Sequence, residues 1–283
     1  GQTMSNFTPG KPCPITLNVR RVVAPNASMM TGPGTNTYLI GNQQLAVIDP
    51  GPAMAEHADT LVKIANTLGA HIRWILCTHT HADHSPGAAL LRRLTGARIY
   101  GMPAPEGPSQ DRNFAPDEIW QENSRLDTDE FSIRAVHTPG HASNHLCFLH
   151  EQEKTLFTGD HIMQGSTVVI APPDGNMSDY LRSLEKLKTL DVDRLAPGHG
   201  DIIPTPLQII EGLIQHRLMR ERKALHKLQA LGPCNLETLT PAVYDEVPPF
   251  LHALARFSLL AHLLKLQEDG RVKQENEIWQ LCP

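Results

Sequence analysis

The sequence predicts a mixed α/β (α+β) fold carrying a small helical, winged-helix-like C-terminal domain. Three observations predict it. Short alternating or apolar runs of strand length recur as far as about residue 200, amphipathic helical patterns are interleaved with them, and beyond about residue 205 the pattern becomes helical.

Residues 15–49 read as the strands ITLNVRRVVA, NTYLI and LAVID, separated by Gly, Pro and Asn, and hence as hairpins opening a sheet. Ala58, Leu61, Val62, Ile64, Ala65 and Leu68 recur at helical spacing over 56–68, and Gly69 ends that helix. The apolar strand IRWILC then runs into THTHADH, so a βαβ unit delivers a histidine-rich loop. A helix over 86–94 opens with Pro86 in its first turn and closes at Gly96, and ARIYG is a short strand. Residues 102–118, rich in Pro and polar side chains, form a surface loop able to overhang a site. FSIRAVHTPGH, HLCFLH and TLFTGDH are three more strands, each ending near a His or an Asp. A helix over 178–190, begun by Ser178 or Asp179, leads into the short strand RLAPGHG.

A long helix over 206–231 stops at LGPCN, two further helical patterns follow, and Gly270 turns into a β-rich tail. The reading is a flexible segment over 1–14, a main domain over 15–205 and a C-terminal domain over 206–283. The Leu-rich pattern of 251–266 exceeds a single stripe and carries few basic residues, which favours a core or dimer contact over a DNA-reading helix. Homodimerisation is left open.

With 283 residues the chain can bury a substantial core without disulfides. Five scattered cysteines with no CxxC pair read as reduced thiols, with Cys77 and Cys147 as buried packing residues. The start has no apolar h-region and no run reaches the roughly 18 apolar residues of a membrane span, so a cytoplasmic protein with no membrane partner is expected. A net charge of -5 argues against nucleic-acid binding through overall charge.

Chemistry concentrates in Thr78-His79-Thr80-His81-Ala82-Asp83-His84. In an extended segment, alternation puts His79 and His81 on one side, and the turn into the next helix redirects Asp83 and His84 to an adjacent position. Imidazole suits zinc, and carboxylate offsets the charge of a dication. His141 in HTPGH, Asp160 in FTGDH and His199 in APGHG add ligands, with Gly or Pro beside each to let the backbone turn. His79, His81 and His141 are expected to hold one ion, Asp83, His84 and His199 a second, with Asp160 bridging. Seven convergent polar groups would be costly to bury without a cation. The expected cofactor is a pair of divalent ions, zinc first, with manganese or iron as alternatives, and Asp83 and Asp160 are the carboxylates read as catalytic. Two such ions ionise a bridging water near neutral pH and polarise the substrate oxygen.

HxHxDH at 79–84, followed by His141, Asp160 and His199, resembles the metallo-β-lactamase superfamily over about residues 15–205. The resemblance implies an αββα sandwich with the metals at one edge of two sheets. It also implies a supporting role for Asp49 beneath the metal loop and an orienting or substrate-contact role for His145; His161 reads as an ordinary buried histidine and Asn36 as a strand or turn residue. GTNTYLIG, HTPGH and LLAHLLKLQEDGRV extend the similarity to the β-lactamase-like endoribonuclease subgroup with a C-terminal winged helix.

That subgroup implies single-stranded RNA as substrate, cut at a phosphodiester. Arg217, Arg220, Arg222, Lys223 and Lys227 lie along the long helix, where Arg220 and Lys223 are candidate substrate contacts, although such spacing also describes a solvated face. Aromatic residues make up 5% of the chain, and no run of them offers a base-stacking platform. The alternative is a thioester hydrolase resembling glyoxalase II, or another acyl or lactone hydrolase, using the same metals; a nucleic-acid-binding regulatory module is the third reading.

Overall fold

The computed structural model describes residues 7–283. Of the flexible segment expected over 1–14, residues 1–6 lie outside the described residues, and Cys13 and Pro14 already belong to an edge strand. The chain forms two compact units. One takes residues up to 138, 144–168 and 191–206, and the other takes 139–143, 169–190 and 207–283. A single boundary at 205/206 therefore differs from the observed division, because 139–143 and 169–190 pack with the C-terminal elements.

The first unit holds two sheets. In the larger, β1 (Cys13–Thr16), β2 (Val19–Val23), β3 (Asn36–Ile40), β4 (Gln44–Ile48), β5 (His71–Leu76), β6 (Arg98–Gly101) and β7 (Glu118–Ile119) lie side by side in chain order. ITLNVRRVVA is not one strand, as expected, but parts of two: Cys13 pairs with Arg21 across an antiparallel turn whose tip, Leu17, is exposed. In the smaller sheet β8 (Arg125–Asp127), β9 (Ser132–His137), β10 (Leu146–His150), β11 (Thr155–Gly159) and β12 (Arg194–Pro197) follow the order β12-β11-β10-β9-β8. Helices α1 (Ala55–Thr67) and α2 (Gly87–Thr95) connect β4 to β5 and β5 to β6 as parallel crossovers.

Strand parity decides which face each residue serves. Leu39, Leu45 and Val47 join Leu61, Ala65 and Leu91 of the two helices in one apolar layer. Their neighbours Tyr38, Ile40, Ala46 and Ile48 join Ile133, Phe148 and Phe157 of the second sheet in another. β3 is therefore buried on both faces and reads as an apolar run rather than an alternation.

The second unit contains α3 (Met177–Leu187), α4 (Pro206–Leu231), α5 (Leu236–Val243), a 3-10 turn over Pro249–Leu251, α6 (His252–Glu268) and the hairpin β13 (Val272–Glu275) with β14 (Ile278–Leu281). Asn176, not Ser178 or Asp179, caps α3, its Oδ1 accepting the Asp179 N–H at 2.9 Å. Leu228, Leu239, Val243, Leu259, Leu263, Leu266 and Trp279 form one core, so the Leu-rich run of α6 is interior packing. No helix among the described residues is long and apolar enough to cross a membrane.

Candidate metal centre

Parallel neighbours end at the same edge of a sheet, and this brings the motifs together. Asp49 follows β4 and the segment Thr78–His84 follows its parallel partner β5. In the second sheet Asp160 follows β11, and His199 lies just past the parallel strand β12. Two glycines permit the close approach. A Cβ on Gly159, at φ +50°, would meet Thr78 Oγ1 at 2.6 Å, and one on Gly198 would sit 2.9 Å from His84 Cε1 and 3.0 Å from Asp160 Oδ1.

Asp83, His84, Asp160 and His199 each offer one ligand atom, all within 4.8 Å of one another. His84 Nε2 lies 3.1 Å from Asp160 Oδ2 and 3.3 Å from Asp83 Oδ2, while His199 Nε2 lies 3.0 Å from Asp83 Oδ2 and 3.3 Å from Asp160 Oδ1. His79 Nε2 lies 3.8 Å from the same Asp160 Oδ2. The His79 ring is 4.6 Å from that of His81 and 4.2 Å from that of His84, centroid to centroid.

The ring orientations follow a common rule. His84 Nδ1 faces Asp49 Oδ2 at 2.9 Å, and His199 Nδ1 faces the Gly34 carbonyl at 3.1 Å. His79 Nδ1 is 2.8 Å from Thr78 Oγ1, whose own proton goes to Asp49 Oδ2 at 2.8 Å. Each of these partners accepts, so each Nδ1 carries a proton and Nε2 is the atom left to face the centre. The Nε2 atoms of His84 and His199 are buried and make no hydrogen bond, although both point at carboxylates. Lone pairs and carboxylate oxygens converging on one point repel one another unless a cation lies between them. This donor set of imidazole nitrogens and carboxylate oxygens fits a divalent metal such as zinc.

The electrostatics agree. Burial alone would lower the pKa of His84, but the Asp160, Asp83 and Asp49 carboxylates outweigh it and hold the pKa well above the ordinary value. At His199 burial is likewise outweighed, chiefly by Asp160, and the pKa rises to about 10. Asp160 is buried, which by itself raises a carboxyl pKa, yet His84 and His199 hold it well below the usual range. This corner of the fold therefore attracts positive charge. His79 differs: burial, then His84 and His81, keep it neutral, as a ligand must be.

Asp49 accepts the Thr78 N–H at 2.8 Å in addition to the bonds above, and it is buried at φ 55°. It thus supports the histidine loop, as the resemblance implies. His145 Nε2 accepts the Asp160 N–H at 3.2 Å and its Nδ1 faces Thr138 Oγ1 at 2.9 Å, an orienting position. Asn36 donates to the carbonyls of Pro197 at 3.0 Å and Gly200 at 2.8 Å, tying β3 to the turn that carries His199. His161 is fully buried.

His141 belongs to the second unit, where its Nδ1 donates to the Val169 carbonyl at 2.6 Å and again leaves Nε2 the lone pair. Arg220 and Lys223 of α4 are engaged within that unit: Arg220 donates to the Val243 carbonyl at 2.7 Å and pairs with Glu246, and Lys223 pairs with Asp245 and, at 3.0 Å, with Glu246. Sequence reasoning missed Thr78, Gly34 and Val169 as orienting partners. Two of these act through backbone carbonyls, which leave no side-chain signal.

Helices packed on a pair of facing sheets, with a His/Asp cluster at the ends of parallel strands, define a hydrolase of the metal-dependent kind. Residues 30–199 match the metallo-beta-lactamase superfamily and residues 236–279 the beta-lactamase associated winged helix domain. The chain belongs to the metallo-beta-lactamase superfamily. It is 31% identical over 273 residues to a beta-lactamase-like protein 2 homolog of Drosophila melanogaster, covering 92% of this chain and 91% of that protein. It is also 31% identical over 249 residues to an atrochrysone carboxyl ACP thioesterase of Aspergillus fumigatus, covering 83% and 76%. Among solved structures, a metallo-beta-lactamase family protein from Thermus thermophilus superposes with a TM-score of 0.79 at 21% identity, covering 95% of this chain and 100% of that one, a likeness of fold.

Proposed function

We propose that the chain is a dinuclear metallohydrolase acting on an acyl thioester. His79, His81 and His141 would hold one divalent ion and Asp83, His84 and His199 the other, with Asp160 shared between them. The observation that carries the metal reading is the shared ring orientation: His79, His84, His141 and His199 all spend Nδ1–H on a protein acceptor and reserve Nε2. Asp160 suits that shared place because its Oδ2 lies near the Nε2 atoms of both His79 and His84 and its Oδ1 near His199 Nε2. Zinc is the ion this nitrogen-rich set favours.

When bound, such a pair of ions supplies a nucleophile from water at neutral pH and polarises the substrate carbonyl. The protein does the rest. Asp49 and Thr78 fix the His79 and His84 rings, and His145 fixes the Asp160 backbone. Asp83 is the more open of the two carboxylates, with its side chain 27% exposed against 10% for Asp160. It is therefore the carboxylate more open to an incoming substrate.

Three observations support an acyl thioester over a polyanion. Relatives of this chain carry the name atrochrysone carboxyl ACP thioesterase. Met29 and Met30 are 72% and 53% exposed on the β2–β3 loop, whose Gly34 carbonyl orients His199, so an apolar surface is anchored to the centre. Arg220 and Lys223, the candidate phosphate contacts, are engaged with Glu246 and Asp245.

The test is turnover on an acyl thioester, a lactone, single-stranded RNA and bis(p-nitrophenyl) phosphate at measured metal content. Hydrolysis of the thioester, with a kcat/KM that changes little between about 50 and 200 mM salt, is expected. Single-stranded RNA as the only substrate turned over, with steep loss of affinity across the same range, would overturn the choice of substrate.

A further inference from the structure

The loop over residues 102–117 supplies none of the proposed ligands, yet it is fastened to the segment after β5 that carries His79 and His81. Asp111 donates its N–H to the Thr80 carbonyl at 2.7 Å, and Gln110 and His81 form an antiparallel bridge. Thr80 Oγ1 donates to Gln110 Oε1 at 2.6 Å and accepts from Asn144 Nδ2 at 2.9 Å. Asp111 Oδ2 accepts from Ser85 Oγ at 2.8 Å, and its Oδ1 accepts the Asn113 N–H at 3.1 Å, which closes the loop on itself. At the base of the loop Phe114 lies against Gly101, where an added Cβ would come within 2.8 Å of its ring.

Thr80 stands between His79 and His81. In an extended segment its side chain points away from the side the two histidines share, so these bonds grip the back of the ligand strand. The Thr80 hydroxyl is fully buried, and both its roles are taken, as donor to one loop and as acceptor from another. A buried hydroxyl satisfied in this way has one orientation, which fixes the segment on which it sits.

We infer that Gln110 is a positioning residue for the ion held through His79 and His81, acting by locking Thr80 from behind. The inference rests on the metal reading above. Groups one bond removed from a metal ligand typically change metal affinity 10–100-fold when lost, because the ligand then pays for its own ordering on binding. Gln110 stands one step further out, because it bonds the side chain of Thr80 between two of the proposed ligands, so a smaller effect is expected. It makes no such bond to the carboxylate-rich group of Asp83, His84, Asp160 and His199.

The test uses the full chain stripped of metal and titrated with zinc against a chromophoric chelator. The binding step that His141→Ala abolishes identifies the ion in question. Gln110→Ala is expected to weaken that step by up to about tenfold, the low end of the effect of a group bonded directly to a ligand, and to leave the other step within about twofold. Gln110→Glu keeps an oxygen acceptor for Thr80 and is expected to recover most of the loss. Thr80→Val, which removes the hydroxyl from the opposite end, is expected to reproduce it, so the conclusion does not hang on one variant. A wild-type chain that takes up no zinc sinks the metal reading itself. A wild-type chain that takes up two ions, with Gln110→Ala unchanged, with both steps weakened alike, or with Gln110→Glu no better than Gln110→Ala, overturns the positioning role alone.

Discussion

Replacing Asp49 by Asn exchanges one oxygen for an amide nitrogen and is expected to reverse the proton on His84. Three donors converge on the carboxylate: the Thr78 N–H at 2.8 Å, the Thr78 hydroxyl at 2.8 Å and His84 Nδ1 at 2.9 Å. The backbone N–H cannot turn away, so Asn must present its remaining oxygen there and its NH2 to the other two. The hydroxyl can rotate and accept. The imidazole can comply only by moving its proton from Nδ1 to Nε2, the atom proposed to bind metal. Restoring the ligating tautomer sets N–H against N–H in a fully buried site, a penalty about the size of one hydrogen bond to a charged group, roughly 1.5–3 kcal/mol. That corresponds to roughly a 10–100-fold loss of affinity at the ion shared by Asp83, His84 and His199. Zinc competition measures the loss. Asp49→Asn binding both ions as tightly as wild type would refute the reasoning.

Other expected outcomes follow from the same geometry. Burial lowers the pKa of His57 from 6.5 to about 4, so the unfolded chain takes up a proton that the folded chain refuses. The resulting stability is complete above about pH 6.5 and is lost as pH falls through 4, at most about 3 kcal/mol; denaturant unfolding of His57→Gln should show a flatter dependence in that window. Lys223→Ala should change kcat/KM less than about twofold on any substrate, because its ammonium is engaged by Asp245 and Glu246 and such surface pairs contribute little; a tenfold fall would restore it as a substrate contact. Glu130 accepts the N–H groups of Asn42 at 2.8 Å and Gln44 at 2.9 Å, with Gln43 between them, so Glu130→Ala should destabilise the β3–β4 turn by about 1–2 kcal/mol, read as a lower unfolding midpoint with unchanged metal content.

The clustered His and Asp residues were legible because the pattern is local in sequence: four donor-type side chains between His79 and His84, and single ones flanked by Gly in TGDH and PGHG. Their support was legible only in part. Asp49 and His145 entered through resemblance, while Thr78, Gln110 and the carbonyls of Gly34 and Val169 depend on contacts between residues far apart in the chain. The grouping of 139–143 with the C-terminal helices has a similar origin: the Gly140 backbone packs against Tyr180, where a Cβ would come within 2.6 Å, and no local pattern announces that contact. The pairing of the basic helix was hidden for the complementary reason. Spacing along α4 shows that Arg220 and Lys223 lie near one another, but not that Asp245 and Glu246, beyond α5, return to meet them.

The central claim is that separated loops of this chain hold two divalent ions through imidazole and carboxylate donors. Metal analysis of the purified protein, combined with X-ray absorption at the metal edge, addresses it most directly. The account predicts two ions per chain, a shell of nitrogen and oxygen neighbours with no sulfur, and loss of one ion of the two in His141→Ala. Fewer than one ion per chain after metal loading, or sulfur in the shell, would contradict it.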